Sequence, residues 1–205
     1  MKLKIFLHGI DLSNWHPCHN LRLAPFLVSS DVTDAKANAE GKHNPVRNSQ
    51  INLLRQEQIS DGFLQPRLAG IYRDLITGKS NKKWNIEVDF EEGRRKYNND
   101  APSRLSCLYI AENSEDGREN IKEMLSNSYI FKVRPIVIER VFMADRRWLD
   151  AYFDNKKEIY IKNYWEGKTY DKKKKRWEYL LEGAIEFIDK KELEFLREFG
   201  AKLSN

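Results

Sequence analysis

Apolar and polar positions alternate over residues 2–8 (Lys-Leu-Lys-Ile-Phe-Leu-His), the period of a half-buried strand, and the run ends at Gly9. Residues 14–44 are rich in His, Pro, Asn, Asp and Ser without a stable period, which predicts a long loop with short turns. Apolar residues at helical spacing over 50–59 and 66–75 predict two helices. Residues 84–97 predict a third, although Trp84, Ile86, Val88 and Phe90 alternate as a strand would. Residues 102–111 read as a buried strand reached through a Pro turn. Ser114 stands as an N-cap, with Glu115 and Asp116 behind it and Ile121, Met124 and Leu125 further on, so 114–125 predicts a packed helix. Residues 129–143 are β-branched and aromatic but broken by Pro135, which predicts one bent strand or two consecutive strands at a sheet edge. Asp145 is the candidate cap of a short helix over 145–153. Residues 177–188 read as two short strands around a Gly turn, with Glu178 at the mouth of the first.

These elements make an α+β pattern. No linker, internal repeat or low-complexity segment divides the chain, so residues 1–205 are expected to form one domain. A length of 205 residues suffices to bury a core, and a mean hydropathy of -0.71 describes a heavily solvated surface. The apolar run at the start is too short for a signal peptide and nothing approaches a membrane span, so a cytoplasmic location is expected. Cys18 and Cys107 cannot make a disulfide framework. Cys18 lies beside His16 and His19, but a fourth zinc ligand at the usual spacing is missing, and the cluster reads as a polar loop.

The net charge of +5 bears on partners. Much of it comes from Lys172, Lys173, Lys174, Lys175 and Arg176, with Arg94, Arg95, Lys96, Arg146 and Arg147 elsewhere. Such runs are usually solvated loops; sharing one face, they would attract phosphate-bearing molecules.

Three motifs occur in order: a strand ending in His8-Gly9, a middle strand carrying Ser106 and Tyr109 followed by a helix, and Glu178-x-Leu180-Leu181-x-Gly183 in a late strand. That order resembles the ADP-ribosyltransferase superfamily, in a bacterial branch with a His-type, diphtheria-toxin-like NAD site. The resemblance implies two packed mixed or antiparallel sheets around an NAD cleft with flanking helices. It gives His8 the adenosine ribose of NAD and the Gly9 backbone the nicotinamide carboxamide. Tyr109 would stack on the nicotinamide ring, with Ser106 the matching residue if the branch follows the Ser-containing pattern. Glu178 would be the catalytic carboxylate, stabilising the oxocarbenium-like centre as nicotinamide leaves. Arg104 either ties down its own turn or holds the NAD pyrophosphate with its fork of donors. Glu182 and Glu186 are alternative carboxylates, and Glu182 shares a strand face with Glu178.

Arginine-modifying members carry Glu two residues before the catalytic Glu, and several others carry Gln; here Arg176 stands there. A cation cannot prepare an arginine acceptor, and Arg176 could instead hold a phosphate of an acceptor nucleic acid. The expected activity is therefore transfer of ADP-ribose from NAD, without a metal, to RNA or DNA, with a protein acceptor as the alternative. A small basic transferase of this kind resembles toxins of toxin-antitoxin or anti-phage systems, which implies an antitoxin partner. Two competing readings remain at this point: an NAD glycohydrolase, and a non-catalytic nucleic-acid-binding domain in which Trp165, Tyr170, Trp177 and Tyr179 stack on bases.

Overall fold

The structure, a computed structural model, describes residues 4–12, 26–29, 82–104, 107–125 and 128–202. Among the described residues five strands, β1 (Phe6–Asp11), β2 (Phe26–Val28), β3 (Leu108–Glu112), β4 (Ser128–Asp145) and β5 (Trp177–Phe187), join in one sheet in the order β2-β5-β3-β1-β4. Every pairing is antiparallel. Around the sheet, among the described residues, lie α1 (Lys82–Tyr97), α2 (Glu115–Met124), α3 (Arg147–Asp154), α4 (Glu158–Trp165) and α5 (Lys190–Lys202).

The long strand β4 gives the sheet its shape. Its first third pairs with β1, from Asp11 opposite Ser128 to Phe6 opposite Val133. Its remainder pairs with β5, from Val133 opposite Phe187 to Asp145 opposite Trp177. Since β5 also pairs with β3, and β3 with β1, these four strands close on themselves, where two separate packed sheets were expected. Eighteen residues extended would span about 60 Å, so β4 must bend to do this. It bends where Pro135 removes a ladder donor and at register shifts between Pro135 and Val137 and between Ile138 and Arg140. Opposite the second shift is Gly183, at a φ of 152°, where a Cβ would sit 2.1 Å from the Val137 carbonyl oxygen. The predicted Gly turn is thus an interior position of one continuous strand.

Other elements also depart from expectation. β1 begins at Phe6 and runs through Gly9, which faces α2 so closely that a Cβ would lie 2.5 Å from Ile121 Cγ2. A three-residue edge strand, β2, lies inside the predicted loop 14–44 and pairs with β5. The strand expected over 102–111 is confined to Leu108–Glu112. Residues 84–97 are helical, with Ile86 and Phe90 buried one turn apart. Ser114 caps α2 by accepting the Gly117 N–H at 3.1 Å. The predicted helices over 50–59 and 66–75 and the His16, Cys18 and His19 group lie outside the described residues.

Alternation along β5 divides the core. Leu181, Ile185 and Phe187 pack with Ile10, Leu108, Ile110, Phe131 and Val133, and with Leu193 and Leu196 of α5. Leu180 faces the other way, into Ile86, Phe90, Tyr152, Ile161, Tyr164 and Trp165 from α1, α3 and α4. Glu178 shares this second face. Among the described residues no helix is long and apolar enough to cross a membrane.

Candidate functional site

Glu178 enters the sheet opposite Ala144 of β4 and is 2% exposed. A carboxylate so placed must be paired. Arg104 Nη1 donates to its Oε1 at 2.6 Å, and Tyr164 Oη donates to the same oxygen at 2.6 Å. Arg104 Nη1 also reaches Tyr164 Oη at 2.5 Å, closing a three-membered polar triangle with each corner buried. The guanidinium lies 5.3 Å from the ring centroids of Tyr109 and Tyr164 and 5.8 Å from that of Phe90. These rings exclude water and strengthen the ion pair. Glu178 Oε2 is buried and has no hydrogen-bond partner among the described residues.

Arg104 is delivered by the turn that leaves α1. Arg94 donates to the Asn99 and Ala101 carbonyls at 2.8 and 3.1 Å, and Asn98 Nδ2 donates to Trp165 O at 3.0 Å. Glu91, itself buried, accepts from Ser103 Oγ at 2.8 Å and from both Nε and Nη2 of Arg94. Burial alone would raise the Glu91 carboxyl, but the hydrogen bonds from Arg94 and Ser103 outweigh it and hold the group below the ordinary carboxylate value. Tyr109 Oη donates to Arg104 O at 2.8 Å and fixes the other side of the turn. Tyr164 and Glu91 were not singled out from the sequence. The one signal available was that a buried tyrosine hydroxyl has to find a partner.

The sequence-predicted residues divide into groups. Glu178, Arg104 and Tyr109 come together on one face. His8 does not join them there: Leu7 pairs with Ala111 and Ile110 with Tyr179, so alternation puts His8 on the Ile110 and Tyr179 face, opposite to Glu178. Its Nδ1 lies 2.7 Å from Tyr109 O, and because a carbonyl only accepts, Nδ1 carries the proton. Gly9 packs under α2. Ser106 lies outside the described residues. Arg176 is clasped by Glu123, with ion-pair and hydrogen-bond distances of 2.8 and 2.9 Å, and sits 3.6 Å from Asp150, so a phosphate would have to compete with carboxylates for it. A pyrophosphate would compete with Glu178 for Arg104 in the same way. Glu182 and Glu186 are each held by a β4 arginine, Arg140 at 2.5 Å and Arg134 at 2.5 Å. Asp145, read as a helix cap, is fully buried; its carboxylate accepts the N–H groups of Arg147, the first residue of α3, and of Tyr170. Trp165, offered as a base-stacking residue, is fully buried.

Tyrosine ionisation couples this region to alkaline pH. Burial pushes the Tyr164 hydroxyl well above its ordinary value. Burial, with the hydrogen bond to Asp89, pushes Tyr152 up to about 12; burial, with the bond to Glu112, does the same for Tyr179. A phenol whose folded pKa exceeds its unfolded value of 10.0 adds stability that is whole below that pH and lost as pH rises through the folded value. The melting midpoint is therefore expected to fall between pH 10 and about 12, with tyrosinate absorbance rising together with unfolding. Tyrosinate appearing in full while the protein stays folded would contradict the assignment.

The fold and this cluster define an α+β domain on an antiparallel sheet, with a buried arginine-carboxylate-tyrosine triangle at the start of its last strand. The chain belongs to the family described as "Protein of unknown function (DUF2441)", whose profile matches residues 30–194. The match takes in Arg104, Tyr109, Tyr164, Arg176 and Glu178, and begins after His8 and Gly9. No curated protein matches the chain.

Proposed function

We propose that this protein is an NAD-dependent ADP-ribosyltransferase of the cytoplasm, with an ADP-ribosyltransferase-like fold and a nucleic acid as acceptor. The observation that carries the reading is strand adjacency. Tyr109 and Glu178, about 70 residues apart in sequence, stand on the neighbouring strands β3 and β5 and share one face, while His8 on the adjoining β1 takes the other face of the same sheet. Glu178 supplies the chemistry: a buried carboxylate with Oε1 committed to Arg104 and Tyr164 and Oε2 without a hydrogen-bond partner among the described residues. In such a transfer the bond from nicotinamide nitrogen to ribose breaks, nicotinamide leaves with the electron pair, and the acceptor forms the new bond and loses its proton. A fixed negative charge beside the ribose stabilises the positive charge that develops only as that bond lengthens.

The geometry alters the sequence-based roles. Arg104 pairs with Glu178 and orients it, in place of holding a pyrophosphate. Tyr109 lines the Glu178 face, and its hydroxyl is tied to the Arg104 turn. His8 supports Tyr109 through the main chain. The system would include an antitoxin or other neutralising partner, as a transferase of its own cell requires.

The test is incubation of the purified protein with NAD labelled in the ADP-ribose half and separate pools of RNA, DNA and cell protein. Label is expected in a nucleic-acid pool. Free ADP-ribose without a labelled polymer would make the protein a glycohydrolase, label in the protein pool would move the acceptor, and no NAD consumption in any pool would overturn the reading.

A further inference from the structure

Most cations described in this structure are neutralised by a carboxylate within the molecule. Arg94, Arg134, Arg140, Arg146, Arg147 and Arg176 all have such partners. Lys172, Lys173, Lys174 and Lys175 do not: all four are exposed, and among the described residues no carboxylate lies within ion-pair distance of them. Four adjacent unneutralised charges repel one another, and a structure that keeps them together leaves them for an outside polyanion.

The segment carrying them is anchored at both ends. The buried Asp145 carboxylate accepts the Tyr170 N–H at 3.0 Å, Trp148 Nε1 donates to Lys168 O at 2.8 Å, and the Lys173 N–H is received by Asp171 at 2.8 Å. The Arg146 N–H donates to Arg176 O at 2.9 Å where the segment joins β5. Tyr170 is 46% exposed, and its ring is held edge-on against Trp148, with centroids 4.7 Å apart at 73°. Between Tyr170 and α3 lies a surface hollow of about 260 Å³, bordered also by Arg147 and Arg176. Two of the nearby acids are engaged, Asp171 by Arg147 and Asp150 by Arg146 and Arg176, while Asp154, at the far border of the hollow, is exposed and has no cation partner among the described residues.

From this we infer that the 168–176 segment binds single-stranded nucleic acid. Lys172, Lys173, Lys174 and Lys175 track the phosphates, and Tyr170 offers its ring to a base at the hollow. A pinned aromatic beside a cationic ridge is the arrangement that sequence-tolerant single-strand binding uses. A duplex keeps its bases stacked inside and cannot use Tyr170. The segment ends two residues before Glu178, so it would bring an acceptor to the strand that bears the acid. Its biological use rests on the transferase reading, while the binding itself needs no NAD.

The test is fluorescence anisotropy of labelled uridine and thymidine homo-oligonucleotides and a duplex of equal length, with the full chain, across a salt series and without NAD. The wild-type protein is expected to bind both single strands more tightly than the duplex. Replacing Lys172, Lys173, Lys174 and Lys175 together by Gln should reduce the slope of log affinity against log salt by about 3, at about 0.7 per single-strand phosphate contact. Tyr170→Ala should weaken binding about 5- to 150-fold and leave that slope unchanged. A salt slope untouched by the quadruple change, a duplex bound as tightly as the single strands, or tighter binding to anionic phosphatidylserine vesicles would overturn the inference. Retained single-strand binding with no NAD consumption would overturn the transferase reading alone. Transfer of label to nucleic acid with no lysine dependence would overturn this inference alone.

Discussion

Arg104→Met is expected to lower the melting midpoint by about 6–20 °C. The change removes one side of a buried ion pair and leaves Glu178, 2% exposed, with the Tyr164 hydroxyl as its remaining donor among the described residues. Breaking one side of such a pair costs about 3–5 kcal/mol, and for a chain of this size each kcal/mol moves the midpoint by about 2–4 °C. Met keeps an apolar stem among Phe90, Tyr109 and Tyr164 but loses the guanidinium's contacts with their rings, so the loss reports the charge, its hydrogen bonds and those ring contacts together. Arg104→Met combined with Glu178→Leu should recover much of the loss, because the stranded carboxylate is then gone. Thermal melts of the two single variants and the double variant check this. A midpoint for Arg104→Met within a degree or two of wild type would mean that Glu178 is held by something other than this triangle.

Glu178→Gln is expected to reduce ADP-ribose transfer by about 100- to 1,000-fold per folded molecule. Gln preserves shape and can still accept from Arg104 and Tyr164 through its carbonyl oxygen, but it lacks the charge that would oppose a developing oxocarbenium ion. It also leaves Arg104 without its counter-ion, so the variant should melt lower, and the rates must be compared well below both midpoints. NAD affinity, measured separately by calorimetry, should change much less than the rate. A Gln variant that melts lower but turns over NAD at the wild-type rate would make Glu178 the structural half of an ion pair and nothing more.

The local parts of this molecule were legible, and the parts that depend on register were not. Ser114, Glu115 and Asp116 announce the start of α2 because a helix N-terminus is decided by the residues at that terminus. Glu178 stood out because it sits at the mouth of a late strand, in Glu178-x-Leu180-Leu181-x-Gly183, after the His8-Gly9 and Ser106-Tyr109 motifs in order. That its partner is Arg104, 74 positions earlier, is set by how α1, β3 and β5 meet. Alternation tells which residues of one strand share a face but not how the parity of one strand matches the next, so His8 and Glu178 could be assigned to one site in sequence and occupy opposite faces in space. β2 is three residues long, too short to show a period. The continuity of β5 through Gly183 depends on the register shifts of β4 opposite it, which no residue near Gly183 encodes.

The strand that carries Glu178 is also the keystone of the closed sheet, hydrogen-bonded to β2, β3 and β4. Take it away and the ring opens, and the ion pair between Arg104 and Glu178 goes with it. The backbone bonds that close the sheet and the side chain that pairs with Arg104 are thus carried by one and the same strand, so a change that loosens β5 disturbs both together.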